Sequence, residues 1–176
     1  KLLEYNVIVD SVAGSGKTTT SLHIAKQYTS SNILLLTYNS RLKIETRKRV
    51  EQLYLDNLEV HSYHSFCCTY YKPLCINDTI LQEVVTNNMK PTSIWDSYDI
   101  IILDEIQDCT ILYYQFICKI CADNNIRNIR ICCFGDKNQS IFGFNGSDQR
   151  FIQYAEELFG FNYLLHSWYK CNLSTS

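Results

Sequence analysis

The chain has 176 residues, 46% of them hydrophobic and 19% charged, with a net charge of −2. That is enough chain and apolar content for one globular domain with a core of its own. Slight acidity is not the basic footprint of a typical nucleic-acid binder, so any such role has to rest on particular residues. No apolar run is long enough for a transmembrane helix, which argues against a membrane partner.

In chain order, Val7–Asp10 is a β-branched, apolar run that reads as a strand, and Lys17–Tyr28 reads as a helix. Between them lies a small-residue loop that closes on Gly16-Lys17-Thr18. Strand, small-residue loop and Gly-Lys-Thr at a helix start are the layout of a phosphate-binding P-loop. Small residues such as Ala13, Gly14, Ser15 and Gly16 let backbone N–H groups point at phosphate oxygens, and the helix N-terminus adds partial positive charge. Lys17 is expected to reach the β- and γ-phosphates and the Thr18 hydroxyl to hold Mg²⁺, with Thr19 completing the loop. The first loop position, usually Gly or Ala, is Ser11, whose small size makes it tolerable.

Asn32–Thr37 reads as a buried strand and Ser40–Leu53 as a helix carrying Arg41, Lys43, Arg47, Lys48 and Arg49. A solvated helix face is the usual meaning of such a basic run. Leu58–His61 is a short strand and Ser65–Tyr71 a helix. Lys72–Tyr98 is less patterned, with a helix expected at Thr79–Asn87. Ile100–Leu103 is a strongly buried strand that runs straight into Asp104-Glu105-Ile106-Gln107-Asp108. An Asp at a buried strand's end can hold a metal, and the next acid can orient and deprotonate a hydrolytic water; Asp104 suits the first role and Glu105 the second. A Glu in that place favours hydrolysis over transfer to a substrate hydroxyl. Thr110–Ala122 is an apolar helix and Ile129–Phe134 a strand. Gln139 follows as an amide suited to sensing a γ-phosphate. Ser147–Phe159 reads as an amphipathic helix and Phe161–His166 as a last strand.

Continuous apolar strands alternating with helices predict an α/β fold, a mostly parallel sheet with helices on both faces. Ligands of such sheets bind beyond the carboxyl ends of the strands, and each motif above sits at such an end. The nine cysteines are an odd number in mostly apolar contexts, and no signal peptide precedes them. They read as reduced thiols of an intracellular protein, nuclear or cytoplasmic rather than secreted. Cys118 and Cys121 stand at Cys-x-x-Cys spacing, but without a second Cys/His pair a buried helix face is expected there. The start at Lys1 and the end at Ser176 suggest a piece of a longer protein.

Five motifs in order resemble those of the UvrD/Rep-like superfamily 1 DNA helicases. Ala13-Gly-Ser-Gly-Lys-Thr18 is similar to the family's motif I, and Leu36-Thr-Tyr-Asn-Ser-Arg-Leu42 to motif Ia. Ser62-Tyr-His-Ser-Phe66 resembles the Thr-x-His-Ser-Phe element that follows. Asp104-Glu-Ile-Gln-Asp108 resembles motif II, and Gly135-Asp-x-x-Gln-Ser-Ile-Phe142 motif III. The resemblance spans nearly the whole chain, with the F-box DNA helicase type as the nearest subfamily. It implies a P-loop NTPase fold: residues 1–176 as a single RecA-like ATP-binding domain, with a short, reduced insertion at about 72–98.

Carried over position by position, it implies that Gln107 and Gln139 couple the γ-phosphate to motion. It also implies that Tyr38, Asn39, His64, Phe142 and Phe144 contact single-stranded DNA. For the aromatics core packing is the competing use, and His64 has helix capping as an equal alternative. Phe144 stands where the family has Trp, and Asn145 where it has Arg. Leu164–Lys170 resembles the start of motif IV, which would put Tyr169 against adenine and Lys170, in place of Arg, at the γ-phosphate. The implied cofactors are ATP and Mg²⁺. The implied partners are single-stranded DNA, or a single/double-strand junction, and a second RecA-like domain of the same protein. A degraded relative that binds nucleotide or DNA without unwinding is the alternative, favoured by Ser11, Asn145 and Lys170.

Overall fold

The structure, a computed structural model, describes residues 4–12, 14–124, 128–136, 150–160 and 167–173. Its strands are β1 (Asn6–Ser11), β2 (Ile33–Thr37), β3 (Leu58–Ser62), β4 (Ile100–Leu103), β5 (Arg130–Gly135) and β6 (Trp168–Leu173). The helices are α1 (Lys17–Gln27), α2 (Ser40–Gln52), α3 (Tyr63–Tyr70), α4 (Asp78–Thr86), α5 (Ile111–Asp123), α6 (Arg150–Gln153) and α7 (Ala155–Phe159). The strands form one sheet in the order β3-β2-β4-β5-β1-β6, and each pair is parallel. This is the expected α/β architecture, with crossover helices covering both faces.

Period-two alternation along the strands sorts the core into two layers. Val7, Val9, Ile33, Leu35, Ile100, Ile102 and Phe134 pack with Leu22, Ile24 and Ala25 of α1, and Val50 of α2 lies against them. Ile8, Leu34, Leu36, Ile101, Leu103 and Ile131 face the other way, onto α3, α4, α5, α6 and α7. The stretch 72–98 belongs to this second layer. Its Cys75, Leu81, Val84, Trp95 and Tyr98 are buried there among Tyr71, Phe66 and Phe116.

Element boundaries shift where side-chain caps decide them. α3 starts at Tyr63, ahead of the predicted Ser65, because Ser62 and Ser65 form a capping box across the first turn. α4 starts at Asp78 because Asn77 accepts from the Ile80 N–H, and Thr110 caps α5 through the Tyr113 N–H. Of the predicted Ser147–Phe159 helix, the described residues form two short helices that meet at Tyr154. The strand expected at Phe161–His166 lies outside the described residues. Trp168–Leu173 forms the sixth strand instead, an edge strand exposed along much of its length, so it lacks the continuous apolar run of a central one.

Candidate functional site

β1, β5 and β4 are neighbours in the sheet, so the loops after their carboxyl ends converge. The phosphate loop leaves β1 at Ser11, where Ser Oγ donates to the Gly135 carbonyl at 3.3 Å. The small residue at this position therefore ties the ends of β1 and β5 together. Gly14 and Gly16 hold φ of 76° and 89°, which a side chain would strain. No atom lies within 4 Å of where a Gly14 Cβ would stand, so backbone conformation rather than crowding selects glycine there. Ser15 Oγ is buried without a partner, and Thr18 is half-buried on the first turn of α1. Ala13 lies outside the described residues.

Lys17 is buried, with Nζ 3.4 Å from the Ser11 carbonyl oxygen and 3.3 Å from Glu105 Oε1. Glu105 adopts a left-handed backbone with φ of 53°, a strained conformation for a non-glycine residue. Gln107 links two groups: its Nε2 donates to Glu105 Oε2 at 2.8 Å, and its Oε1 accepts the Asp136 N–H at 3.1 Å. A continuous polar chain thus runs from Lys17 through Glu105 and Gln107 to the residue after β5. Gln139 lies a few residues beyond it, outside the described residues.

Asp104 is 3% exposed, and its Oδ1 is buried without a hydrogen-bond partner. Burial, then the Glu105 charge, push its carboxyl up to about 7 against the opposing pull of Lys17. Asp108 is also raised, by burial and then Glu105. An orphaned, desolvated carboxylate beside a left-handed loop is short of positive charge. A hard divalent cation of the Mg²⁺ kind supplies that charge and takes few protein ligands, leaving its remaining positions to water and phosphate oxygens. Asp104 at the end of β4 and Thr18 on the first turn of α1 carry the oxygens that could hold such an ion. Among the described residues no cluster of three or more His, Cys, Asp or Glu forms a separate metal centre.

The candidate strand-binding residues gather beyond β2 and β3. Tyr38 follows β2 and is 47% exposed. Asn39 is the N-cap of α2, its Oδ1 accepting from the Arg41 and Leu42 N–H groups. His64 does not cap its helix, a role Ser62 fills; its Nε2 lies 3.0 Å from Asp78 Oδ1. Phe142 and Phe144 lie outside the described residues. The basic run on α2 is only partly a solvated face. Arg47 donates to the Val60 carbonyl at 2.6 Å, and Arg49 to Thr19 Oγ1 at 3.3 Å.

Tyr169 and Lys170 sit in β6, where Lys170 is in register with Ile8, three residues before Ser11 at the end of β1. That separation is about 10 Å along the strand. The Lys170 ammonium pairs with Glu156 at 3.3 Å, and the Tyr169 ring centre lies 6.1 Å from that of Tyr5. In this structure neither side chain joins the Lys17–Glu105 group. Tyr113, whose ring meets Tyr38 edge-on, has no local sequence signal, whereas Gly135 opens the third-motif resemblance and by its lack of a Cβ makes room for Gln107.

The sequence profile of the UvrD/REP helicase N-terminal domain matches residues 1–88 and 74–160. The Hef helicase domain of Pyrococcus furiosus superposes with a TM-score of 0.52 at 13% identity, over 97% of this chain and 36% of that one. That likeness shows a shared fold, and this chain spans about a third of the other's length. Coclaurine N-methyltransferase bound to N-methylheliamine and SAH gives a TM-score of 0.36 at 17% identity, over 70% of this chain and 29% of that one, too slight to carry a conclusion. No curated protein matches the chain.

Proposed function

This chain belongs to the UvrD/REP helicase N-terminal domain family, and we propose from that footing that it is the ATP-hydrolysing half of a DNA helicase motor. That it is a helicase motor domain follows from the family. The finer reading is ATP hydrolysis coupled to translocation on single-stranded DNA and to duplex unwinding, with a second RecA-like domain completing the motor. One observation carries this reading: the unbroken polar path Lys17–Glu105–Gln107–Asp136.

In this reading Lys17 leaves Glu105 for the β- and γ-phosphates, and the freed Glu105 carboxylate takes a proton from the attacking water. Bound Mg²⁺ contributes neutralisation of charge on the phosphate oxygens. Gln107 keeps Glu105 oriented, and through the Asp136 N–H it passes any shift of Glu105 to the segment that carries Gln139, Phe142 and Phe144. Exposed Tyr38 is suited to stack on a base, a contact that reads little sequence. All nine cysteines are free, in keeping with a reducing, intracellular compartment.

A titration with fluorescent ATP analogue and Mg²⁺ tests the assignment. Lys17→Ala should weaken binding about 10- to 100-fold, the scale of losing one hydrogen bond to a charged group. Glu105→Gln should keep binding and lose turnover in a protein that includes the second motor domain. Undiminished nucleotide affinity in Lys17→Ala would contradict the assignment. Binding without DNA-stimulated turnover in the unmodified longer protein would favour the alternative, a nucleotide- and strand-binding module without unwinding activity.

A further inference from the structure

Four rings from three elements meet at the carboxyl ends of the adjacent strands β3, β2 and β4. Tyr113, on the first turn of α5, is 3% exposed and stands at their centre. It stacks on Tyr63 with ring centres 4.6 Å apart and planes 8° from parallel. The exposed Tyr38 meets it edge-on at 5.6 Å and 66°, and His64 does so at 6.0 Å and 86°. The Tyr113 hydroxyl donates to Asp78 Oδ1 at 2.9 Å, the same oxygen that His64 Nε2 approaches. Asp78 opens α4, so the hydroxyl also ties the 72–98 stretch to this cluster.

Core packing alone does not account for this arrangement. Two of the rings are buried, but Tyr38 is exposed and His64 half-buried, and both meet the same buried ring edge-to-face. Such edge-to-face contacts hold a ring at a set angle. An exposed tyrosine without such support must give up rotamer freedom when a ligand binds, and a ring already held gives up less.

We propose that Tyr113 is a positioning residue for single-stranded nucleic acid, presetting Tyr38 for base stacking. His64 beside it has an anchor of its own in Asp78. The proposal rests on the reading of Tyr38 as strand-facing. Tyr113 itself makes no contact with the strand; it acts through the Tyr38 ring it supports.

The test is titration of the chain with an oligo-dT strand and with an abasic strand of equal length, at low salt. Tyr113→Leu should bind oligo-dT about three- to tenfold more weakly, the range set by freeing one side chain. Its affinity for the abasic strand should stay within about twofold, since the backbone contacts that dominate such binding do not need a stacked base. Tyr113→Phe, which keeps the ring contacts, should restore oligo-dT binding. Should the Leu variant fail to fold, Tyr113→Met, closer in volume, takes its place in the same comparison. Tyr38→Ala separates the two levels. If it weakens oligo-dT binding while Tyr113→Leu does not, the positioning role is wrong and the strand-facing reading stands. If Tyr38→Ala changes nothing, the strand-facing reading fails and the positioning role falls with it. Equal losses on both strands in Tyr113→Leu would mark the residue as merely structural and overturn the proposal.

Discussion

Gly135→Ala is a one-methyl change whose effect can be worked from the geometry. Gly135 ends β5 with no left-handed φ, so backbone conformation does not oppose alanine. The obstacle is space. A Cβ there would stand 2.6 Å from Ile152 Cδ1, 2.7 Å from Gln107 Oε1 and 3.0 Å from Ile106 Cγ2. Comfortable separations are about 3.5–4.0 Å, so each neighbour must move by roughly 0.5–1 Å or more. Ile152 can swing its terminal methyl aside. Gln107 is pinned at both ends, by Glu105 Oε2 and by the Asp136 N–H. Overpacking of this kind costs about 1–3 kcal/mol. If Gln107 yields, a buried backbone N–H loses its partner, at about 1–3 kcal/mol more. Partial relaxation makes the two costs overlap, so the expected destabilisation is about 2–4 kcal/mol, a large share of a typical domain's stability. Urea unfolding of the two proteins measures it. The same variant should lose nucleotide-dependent turnover in the longer protein, because Gln107 no longer joins Glu105 to Asp136. Gln107→Ala removes the most constrained neighbour, so the double variant should be less destabilised than the sum of the singles. A Gly135→Ala protein within about 0.5 kcal/mol of the parent, with turnover intact, would refute the steric reasoning.

Two further predictions concern pH. Burial, then the Glu105 charge, hold the folded Asp104 carboxyl up to about 7, well above the ordinary aspartate range, so its charge disfavours the folded state increasingly from about pH 4 to 7, and by a constant amount above that. Without Mg²⁺, Asp104→Asn should therefore be about 2–4 kcal/mol more stable than the parent at about pH 8 and no more stable at about pH 3.5. It should also lose Mg²⁺-dependent nucleotide binding. Equal stability at both pH values would show that the buried charge is compensated in some other way. Glu59 shifts in the opposite sense. Burial raises its carboxyl, but hydrogen bonds from His61, Tyr70 and Tyr98 outweigh burial and hold it at about 2, well below the ordinary glutamate range. Its contribution is complete above about pH 4.5 and fades as pH falls toward 2. With a side chain about 35% exposed, solvent screening leaves about 1–2 kcal/mol of that contribution. Urea unfolding across that range should show a steeper acid loss in the parent than in Glu59→Gln. Parallel curves would rule out the linkage.

Much of the sheet is legible in the sequence because its signals are local. Ile33–Leu36 and Ile100–Leu103 are continuous apolar runs, and only a strand covered on both faces makes such runs favourable. The glycines of the phosphate loop, the lysine after them and the paired acids at the end of β4 are each bound to their strand by adjacency along the chain. Their arrival at one place then follows from parallel strands, whose carboxyl ends share an edge. The cap-defined starts of α3 and α4 were misplaced by one or two residues, since short polar side chains can cap or turn with similar ease. The edge strand β6 carries no clear sequence signal because exposure along much of its length dilutes its apolar pattern.

Contacts between distant residues depended on the folded chain. Ser11 reads in sequence as a tolerated departure from the loop pattern. In the fold it bonds to a carbonyl 124 positions away and closes the gap between two strand ends. Gln107 and Asp136 are 29 positions apart, and Tyr113 and Asp78 are 35. Residue type and spacing set which groups could take part in phosphate chemistry, because those requirements repeat at short range along a strand, loop or helix. Tertiary packing decided which of them touch, because a hydrogen bond or a ring contact needs two surfaces brought within a few ångströms, and the order of strands in the sheet determines which surfaces those are.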